Sequence, residues 1–350
     1  MLTPARNQFE REILEQPAAL ERLLQGGRTA AEAAAVAIKR FAPEWVLIAA
    51  RGSSDNAARY AQYLLGAHNQ LGVALAVPSL FTLYEAPPRL SRALTIGISQ
   101  SGQSPDIVSV LQEARAQGGA TLCLTNDPDS PLSHAADHTL PILAGPELAV
   151  AATKTYTAEL FAIAMLSAAL ADDPAHWAAL ARIPQWISEV IEKNADLSEQ
   201  AKSFRAARKL VVLGRGFNYS TAFELALKLK ETCYLLAEPY SVADLLHGPV
   251  AMIDQNFPVI LVAPSGRPLA DIPALLALLE ERGAQVLAIS DAPEVLSRVA
   301  SRIELPAGVP EWLSPLVAIV PGQLFAGALA LESGRDPDRP RGLSKVTLTR

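Results

Sequence analysis

Residues 93–108 read ALTIGISQSGQSPDIV. Leu94 to Ile98 form an apolar, partly β-branched run, which predicts a buried strand. Ser99, Gln100, Ser101, Gly102, Gln103 and Ser104 follow without a break. Pro105 suits the first turn of a helix, where a missing N–H costs nothing. Ile107, Val108, Val110 and Leu111 then begin a helical apolar face. Strand, hydroxyl-rich turn and helix start bring several backbone N–H groups and a positive helix end to one place. Ser hydroxyls and Gln amides add neutral donors. An ordinary N-cap uses one such side chain. A run of small and amide residues fits a phosphate ester better.

Outward from this stretch the pattern repeats. Trp45 to Ala50 is an apolar strand running into Arg51-Gly52-Ser53-Ser54-Asp55, with a helix through Leu65. Val73 to Val77, Ala120 to Leu124 and Thr139 to Leu143 are further strands, and Ala149 to Ala171 is a long apolar helix. Strands alternating with helices predict an α/β fold with a parallel sheet covered on both faces. Upstream, residues 6–40 read as helical, interrupted at Pro17 and ended once by Gly26-Gly27 before an Ala-rich helix resumes. Downstream, Leu210–Leu213 runs into Gly214-Arg215-Gly216, Val259–Ala263 into Pro264-Ser265-Gly266, and Ala284–Ile289 into Ser290-Asp291. The predicted divisions are a helical segment 1–40, a first subdomain 41–171, a connecting helix 172–200, a second subdomain 201–335 and a tail 336–350.

The second subdomain restarts the first in one register. Arg51-Gly52 matches Arg215-Gly216, Ser101-Gly102 matches Ser265-Gly266, Gly119-Ala120 matches Gly283-Ala284, and Asp127 matches Asp291, each pair 164 residues apart. Ungapped matches at strand–helix junctions predict two copies of one unit. Copy two has lost the donor-rich turn, so phosphate binding is expected in copy one. The first helices differ in the opposite sense. Tyr60, Leu64 and Ala67 of copy one correspond to Glu224, Lys228 and Glu231 of copy two. Those three share one helix face, and the repeat places their helix beside a strand's carboxyl end, where ligands of parallel sheets bind.

Glu231 is a candidate general base, because moving a proton between adjacent sugar carbons needs one carboxylate close to both. Lys228 is a candidate to hold Glu231 ionised or to stabilise an enolate oxygen. His247, in Leu245-Leu246-His247-Gly248-Pro249, can shuttle a proton near neutral pH. The tail from Asp336 is polar, with the alternating Val346–Leu348 near its end, and would deliver Lys345 wherever it docks.

Composition narrows the classes. A 350-residue chain with half its residues apolar can bury a large core, and a formal net charge of −6 gives no footprint for nucleic acid or an anionic membrane. Cys123 and Cys233 have no metal-ligand spacing, which suggests core packing in a reducing compartment. The first residues are too charged for a signal peptide. The longest apolar run, Leu160–Ala171, is too short to span a bilayer. A cytoplasmic protein with no metal or other cofactor is expected.

The chain resembles the sugar isomerase (SIS) family, including the isomerase half of glucosamine-6-phosphate synthase and stand-alone SIS-type glucosamine-6-phosphate deaminases. The resemblance rests on Gly52-Ser53-Ser54, Ser99-Gln100-Ser101-Gly102, Ala151-Ala152-Thr153-Lys154, Glu224 through Glu231, His247-Gly248-Pro249 and Pro340-Arg341-Gly342-Leu343-Ser344-Lys345. It implies two tandem flavodoxin-like subdomains and a homodimer whose active site lies at or near the subunit interface. It implies substrate contacts from Ser53, Ser54, Ser99, Gln100, Ser101, Ser104 and Val150. Glu231 would move the proton between C1 and C2, with Lys228 and Glu224 beside it. His247 would open the sugar ring, often in a neighbouring subunit's site. Lys345 would form a Schiff base with the open-chain ketose. Ala152 stands where the synthase usually has Ser, and Arg51 where a small residue is common.

The residues before the first strand are too few for the synthase's glutaminase domain, which points to conversion of glucosamine 6-phosphate into fructose 6-phosphate and ammonia. Action on another amino-sugar or ketosamine phosphate remains open, as does transamination with ammonia from a partner. A non-catalytic sugar-phosphate sensor is a further alternative. Residues 1–40 make a poor helix-turn-helix, and a sensor has no need for Glu224, Lys228, Glu231, His247 and Lys345 together.

Overall fold

A computed structural model describes residues 7–345. The first residues of the N-terminal segment and the alternating Val346–Leu348 lie outside the described residues. In chain order, α1 (Gln8–Leu14) and α2 (Gln16–Phe41) come first. Then follow β1 (Trp45–Ala49), α3 (Gly52–Asn69), β2 (Val73–Leu75), α4 (Ser79–Thr82), β3 (Ala93–Ile98), α5 (Pro105–Ala116), β4 (Ala120–Thr125), α6 (Pro131–Ala135), β5 (His138–Pro141) and α7 (Lys154–Ala171). The helices α8 (Pro174–Leu180), α9 (Ile183–Lys193) and α10 (Ser198–Phe204) lead to β6 (Lys209–Gly214), α11 (Tyr219–Cys233), β7 (Leu236–Ser241) and α12 (Val242–Leu246). The last elements are β8 (Pro258–Val262), α13 (Ile272–Glu281), β9 (Gln285–Ser290), α14 (Pro293–Leu296), β10 (Ser301–Glu304) and α15 (Ser314–Glu332).

The strands form two five-stranded parallel sheets, ordered β2-β1-β3-β4-β5 and β10-β9-β8-β6-β7. Read from the other edge, the second repeats the first, and both have the flavodoxin-like order. The α/β class and the two tandem subdomains are as the sequence predicts. β7 and β10, which no sequence signal singled out, fall 164 residues beyond β2 and β5 to within a residue or two. Both are short or polar, so their apolar periodicity is weak. The matched Arg-Gly pairs have a backbone reason. Gly52 and Gly216 take φ values of +55° and +60°, a region costly for a side chain.

Two units, not contiguous in sequence, make up the chain. One contains residues 16–147, 154–184 and the tail from 344; the other contains 1–15, 148–153 and 185–343. Each has its own core. Leu47, Val110, Leu111 and Leu132 lie in the first-sheet unit, and Leu213, Leu261, Leu275 and Leu279 in the second-sheet unit. Within the first-sheet unit, α2 runs unbroken through Gly26-Gly27, contrary to the predicted stop. The glycines serve packing. A Cβ on Gly26 would meet Leu143 at 2.8 Å, and one on Gly27 would lie 3.4 Å from Met165 of α7. α7 itself starts at Lys154, later than its apolar composition suggests.

In the second-sheet unit, α1 is held by its N-terminal amides. Asp338 accepts from Gln8 N–H at 2.9 Å and Phe9 N–H at 2.7 Å. The buried Glu12 accepts from the amides of Leu148 at 2.5 Å and Ala149 at 3.1 Å, which fixes the segment carrying Val150. The span 311–332, containing α15, is long and apolar enough to cross a membrane, and most of it is buried in the protein. This corrects the expectation that no such run exists. Pro321-Gly322-Gln323 interrupts the run in sequence, yet all three are buried within α15.

Candidate functional site

The first-sheet unit gathers its candidates at one edge. β1 and β3 are neighbours, and the chain leaves them in opposite directions across the sheet. The loops after these strands flank that switch point, the usual ligand position in such sheets. Ser53 and Ser54 follow β1 in the first turn of α3. Ser99 to Ser104 follow β3 and lead into α5. The two loops are tied together by Arg51, whose Nε lies 2.8 Å from the buried carboxylate of Asp106. That partner explains an arginine where the family resemblance led us to expect a small residue.

The turn is built to expose donors. Gly102 N–H donates to Ser99 Oγ at 3.1 Å, and Gln103 N–H donates to Ser101 Oγ at 3.3 Å. Ser104 is the N-cap of α5 but its hydroxyl makes no capping bond. Among the described residues, the amides of Gln100, Ser101 and Ser104 have no hydrogen-bond partner. Gly102 has φ +62°, and a Cβ there would lie 2.2 Å from Ser130 Oγ. Only glycine fits. Ser54 is turned inward, donating to Glu159 of α7 at 2.8 Å.

The second-sheet unit has the equivalent turn, and its own carboxylates occupy it. Ser265 N–H donates to Asp291 Oδ1 at 2.7 Å, and Arg267 N–H to Glu311 Oε2 at 2.8 Å. Pro264 and Pro268 have no N–H to offer. Copy two is therefore short of donors for two reasons, composition and internal neutralisation, of which sequence reveals only the first.

Helix α11 carries Glu224, Lys228 and Glu231 on one face. Lys228 is wholly buried, with Nζ 2.6 Å from Glu231 Oε2 and 3.3 Å from Glu224 Oε1. Burial pulls the ammonium's pKa down, but the two carboxylates and their hydrogen bonds outweigh it, and the net shift is upward. Lys228 is thus a fixed cation. Glu224 is also buried, whereas Glu231 is 22% exposed and can be reached by a substrate.

One expectation needs correction. Glu231 lies in the last turn of α11, just before β7 begins. A helix returning from β6 ends at the opposite edge of the sheet, so Glu231 is at the amino edge of the second sheet, not the carboxyl edge. His247 follows β7 and α12 at the carboxyl edge, where it is exposed. The length of β7, about 20 Å, separates the two within one subunit. Gly248 beside it takes φ +142°.

The described part of the tail is docked. Arg341 N–H donates to Tyr234 Oη at 2.9 Å, and the Arg335 and Arg341 guanidinium groups lie 4.8 and 4.4 Å from the Tyr234 ring centre. Lys345 joins the first-sheet unit, with Nζ 2.6 Å from Glu147 Oε2. Glu147 precedes α7, and its carboxylate also accepts from Thr155 N–H and Thr155 Oγ1. The sequence reading missed Glu147, although Glu311 stands 164 residues beyond it at the same repeat position. Among the described residues, no group of three or more His, Cys, Asp or Glu could hold a metal. Cys123 and Cys233 are buried free thiols.

Known proteins with these features are numerous. A family model for the SIS domain matches residues 43–169 and 203–333. Glutamine–fructose-6-phosphate aminotransferase (isomerizing) of Thermus thermophilus is 36% identical over 349 residues, covering 96% of this chain and 58% of that protein. The enzyme of the same name from Pyrococcus horikoshii is 34% identical, covering 96% and 56%. The chain therefore spans under two thirds of these relatives. Among solved structures, a candidate phosphosugar isomerase from Silicibacter pomeroyi superposes with TM-score 0.86 at 38% identity, covering 95% of this chain and 99% of that one. The C-terminal domain of the Francisella tularensis aminotransferase gives 0.87 at 28%, covering 96% and 99%.

Proposed function

This chain belongs to the SIS domain family, and from that premise we propose that it is a phosphosugar isomerase that converts glucosamine 6-phosphate to fructose 6-phosphate and ammonia. The observation that carries the reading is the Glu224–Lys228–Glu231 triad, a partly exposed carboxylate held against a buried cation. On this reading the Ser99–Ser104 turn, with Ser53, binds the sugar phosphate, and Ser54 braces the start of α3 through Glu159. Once the ring is open, Glu231 removes the proton from C2 and returns it to C1, while a proton leaves the amine nitrogen and one is taken up by O1, leaving an imine at C2 and a hydroxyl at C1. The neutral amine of Lys345 adds to that carbon and ammonia leaves. Water then hydrolyses the lysine imine to the ketone, so one water is consumed for each ammonia released.

His247 is the candidate for ring opening. Its exposure and its distance from Glu231 favour action in the site of a second copy, and we propose a homodimer. A small, charged metabolite substrate suits a cytoplasmic enzyme. Incubation with glucosamine 6-phosphate should release ammonia and fructose 6-phosphate in equal amounts. Aldose–ketose exchange without ammonia release would discard the deaminase and keep the isomerase. The names of the aminotransferase relatives favour a second reading, in which ammonia supplied elsewhere drives the same steps towards the amino sugar. Exogenous ammonia with fructose 6-phosphate tests that direction.

A further inference from the structure

Glu147 has no part in the steps above, yet it is the carboxylate nearest the reactive lysine. We infer that Glu147 is a positioning residue that fixes the Lys345 amine at the carboxyl edge of the first sheet. The inference rests on the proposed role of Lys345 as the imine-forming group.

Glu147 has a side chain with no exposed surface, and Lys345 keeps a quarter of its own. Donors other than the lysine also hold this carboxylate. Thr155 N–H donates to Oε1 at 3.1 Å and Thr155 Oγ1 to Oε2 at 2.7 Å. Both donors belong to the first turn of α7, an 18-residue helix whose N-terminus favours an anion. Lys345 Nζ joins these donors at 2.6 Å. A flexible four-carbon side chain near the chain end is thereby given one location.

The repeat supplies a control. Glu311 occupies the same position in copy two, and there its carboxylate accepts from the Arg267 amide and lies against Gly266. One repeat position thus closes a turn in one unit and holds a side-chain cation in the other. A purely architectural glutamate in copy one would have no need of Lys345, since Thr155 already holds it.

Two labelling experiments on the intact protein test this. The first is reductive methylation with formaldehyde and cyanoborohydride, read at Lys345 by peptide mass spectrometry, with no sugar present. Freed from its charge-assisted bond, Lys345 of Glu147→Gln should methylate at least about threefold faster than in the parent. The second is borohydride trapping of fructose 6-phosphate at Lys345. Misplacing a reacting group by an ångström can cost about a hundredfold, so trapping should slow by about tenfold or more in Glu147→Gln, at saturating sugar and with the half-saturating concentration little changed. Glu147→Asp keeps the charge and should recover part of the trapping rate; it also stands in if Glu147→Gln does not fold. Equal methylation in parent and variant overturns the inference, as does faster methylation with undiminished trapping. A parent protein that methylates but never traps sugar at Lys345 removes the functional reading, and the inference with it.

Discussion

At Glu224, Lys228 and Glu231 the two copies show what the charges are not for. The equivalent positions in copy one hold Tyr60 and Leu64, both fully buried, and Ala67. An apolar filling of this face is therefore compatible with the fold. Buried ion groups seldom improve on such a filling, because desolvation offsets their attraction. A triad kept at that cost fits a chemical task. On the proposed function, phosphate binding and proton transfer reside on different residues, which predicts different kinetic phenotypes. Ser101→Ala should raise KM by about tenfold, the loss of one hydrogen bond to a charged group, with kcat little changed. Glu231→Gln should lower kcat by at least about a hundredfold, the usual contribution of a general base, with KM nearly constant. Steady-state kinetics on the two variants decide the matter, and matching phenotypes would refute the division of labour.

The turn between β3 and α5 works as an element. Its amides are presented because the backbone reverses at Gly102, and that reversal needs a glycine, because φ is positive and Ser130 packs where a Cβ would be. Gly102→Ala combines an unfavourable φ with a contact of 2.2 Å, so it should destabilise the protein by about 2 kcal/mol or more. On the proposed function, the variant should also bind a sugar phosphate more weakly. Thermal unfolding and binding of a sugar phosphate measure the two effects together, and an unchanged melting temperature with full affinity would contradict this account. The corresponding turn in copy two is already closed by Asp291 and Glu311, which is why one fold repeated twice yields a single donor-rich turn.

Across the whole molecule, chain order and structural unit part company. α1 belongs with residues 185–343, where Phe9 packs 3.3 Å from the position a Cβ on Gly327 of α15 would take. A chain starting at residue 185 would lose Phe9, Ile13 and the partners of Asp338. It should melt at a lower temperature than the same unit in the full protein, and a peptide of residues 1–15 added in trans should recover part of the loss. Calorimetry with and without the peptide is the check. No change on adding it would mean that α1 contributes little to the unit.

The sequence by itself determined the sheet class, the two copies and the candidate residues. Each depends on local signals: apolar runs ending in Gly- and Ser-rich turns, an offset of 164 residues, charges at i, i+4 and i+7. Even its errors were local, as with Gly26-Gly27, which looks like a helix stop until the neighbouring side chains of Leu143 and Met165 are in view. Only the tertiary structure decided which edge of the sheet Glu231 occupies, because a helix on a parallel sheet returns to the opposite edge. It also decided that Lys345 meets Glu147, 198 residues earlier in the chain. Pairings at such separation leave no periodic trace in sequence. They exist because folding of the first-sheet unit brings residue 345 back to the loop before α7, where Glu147 lies.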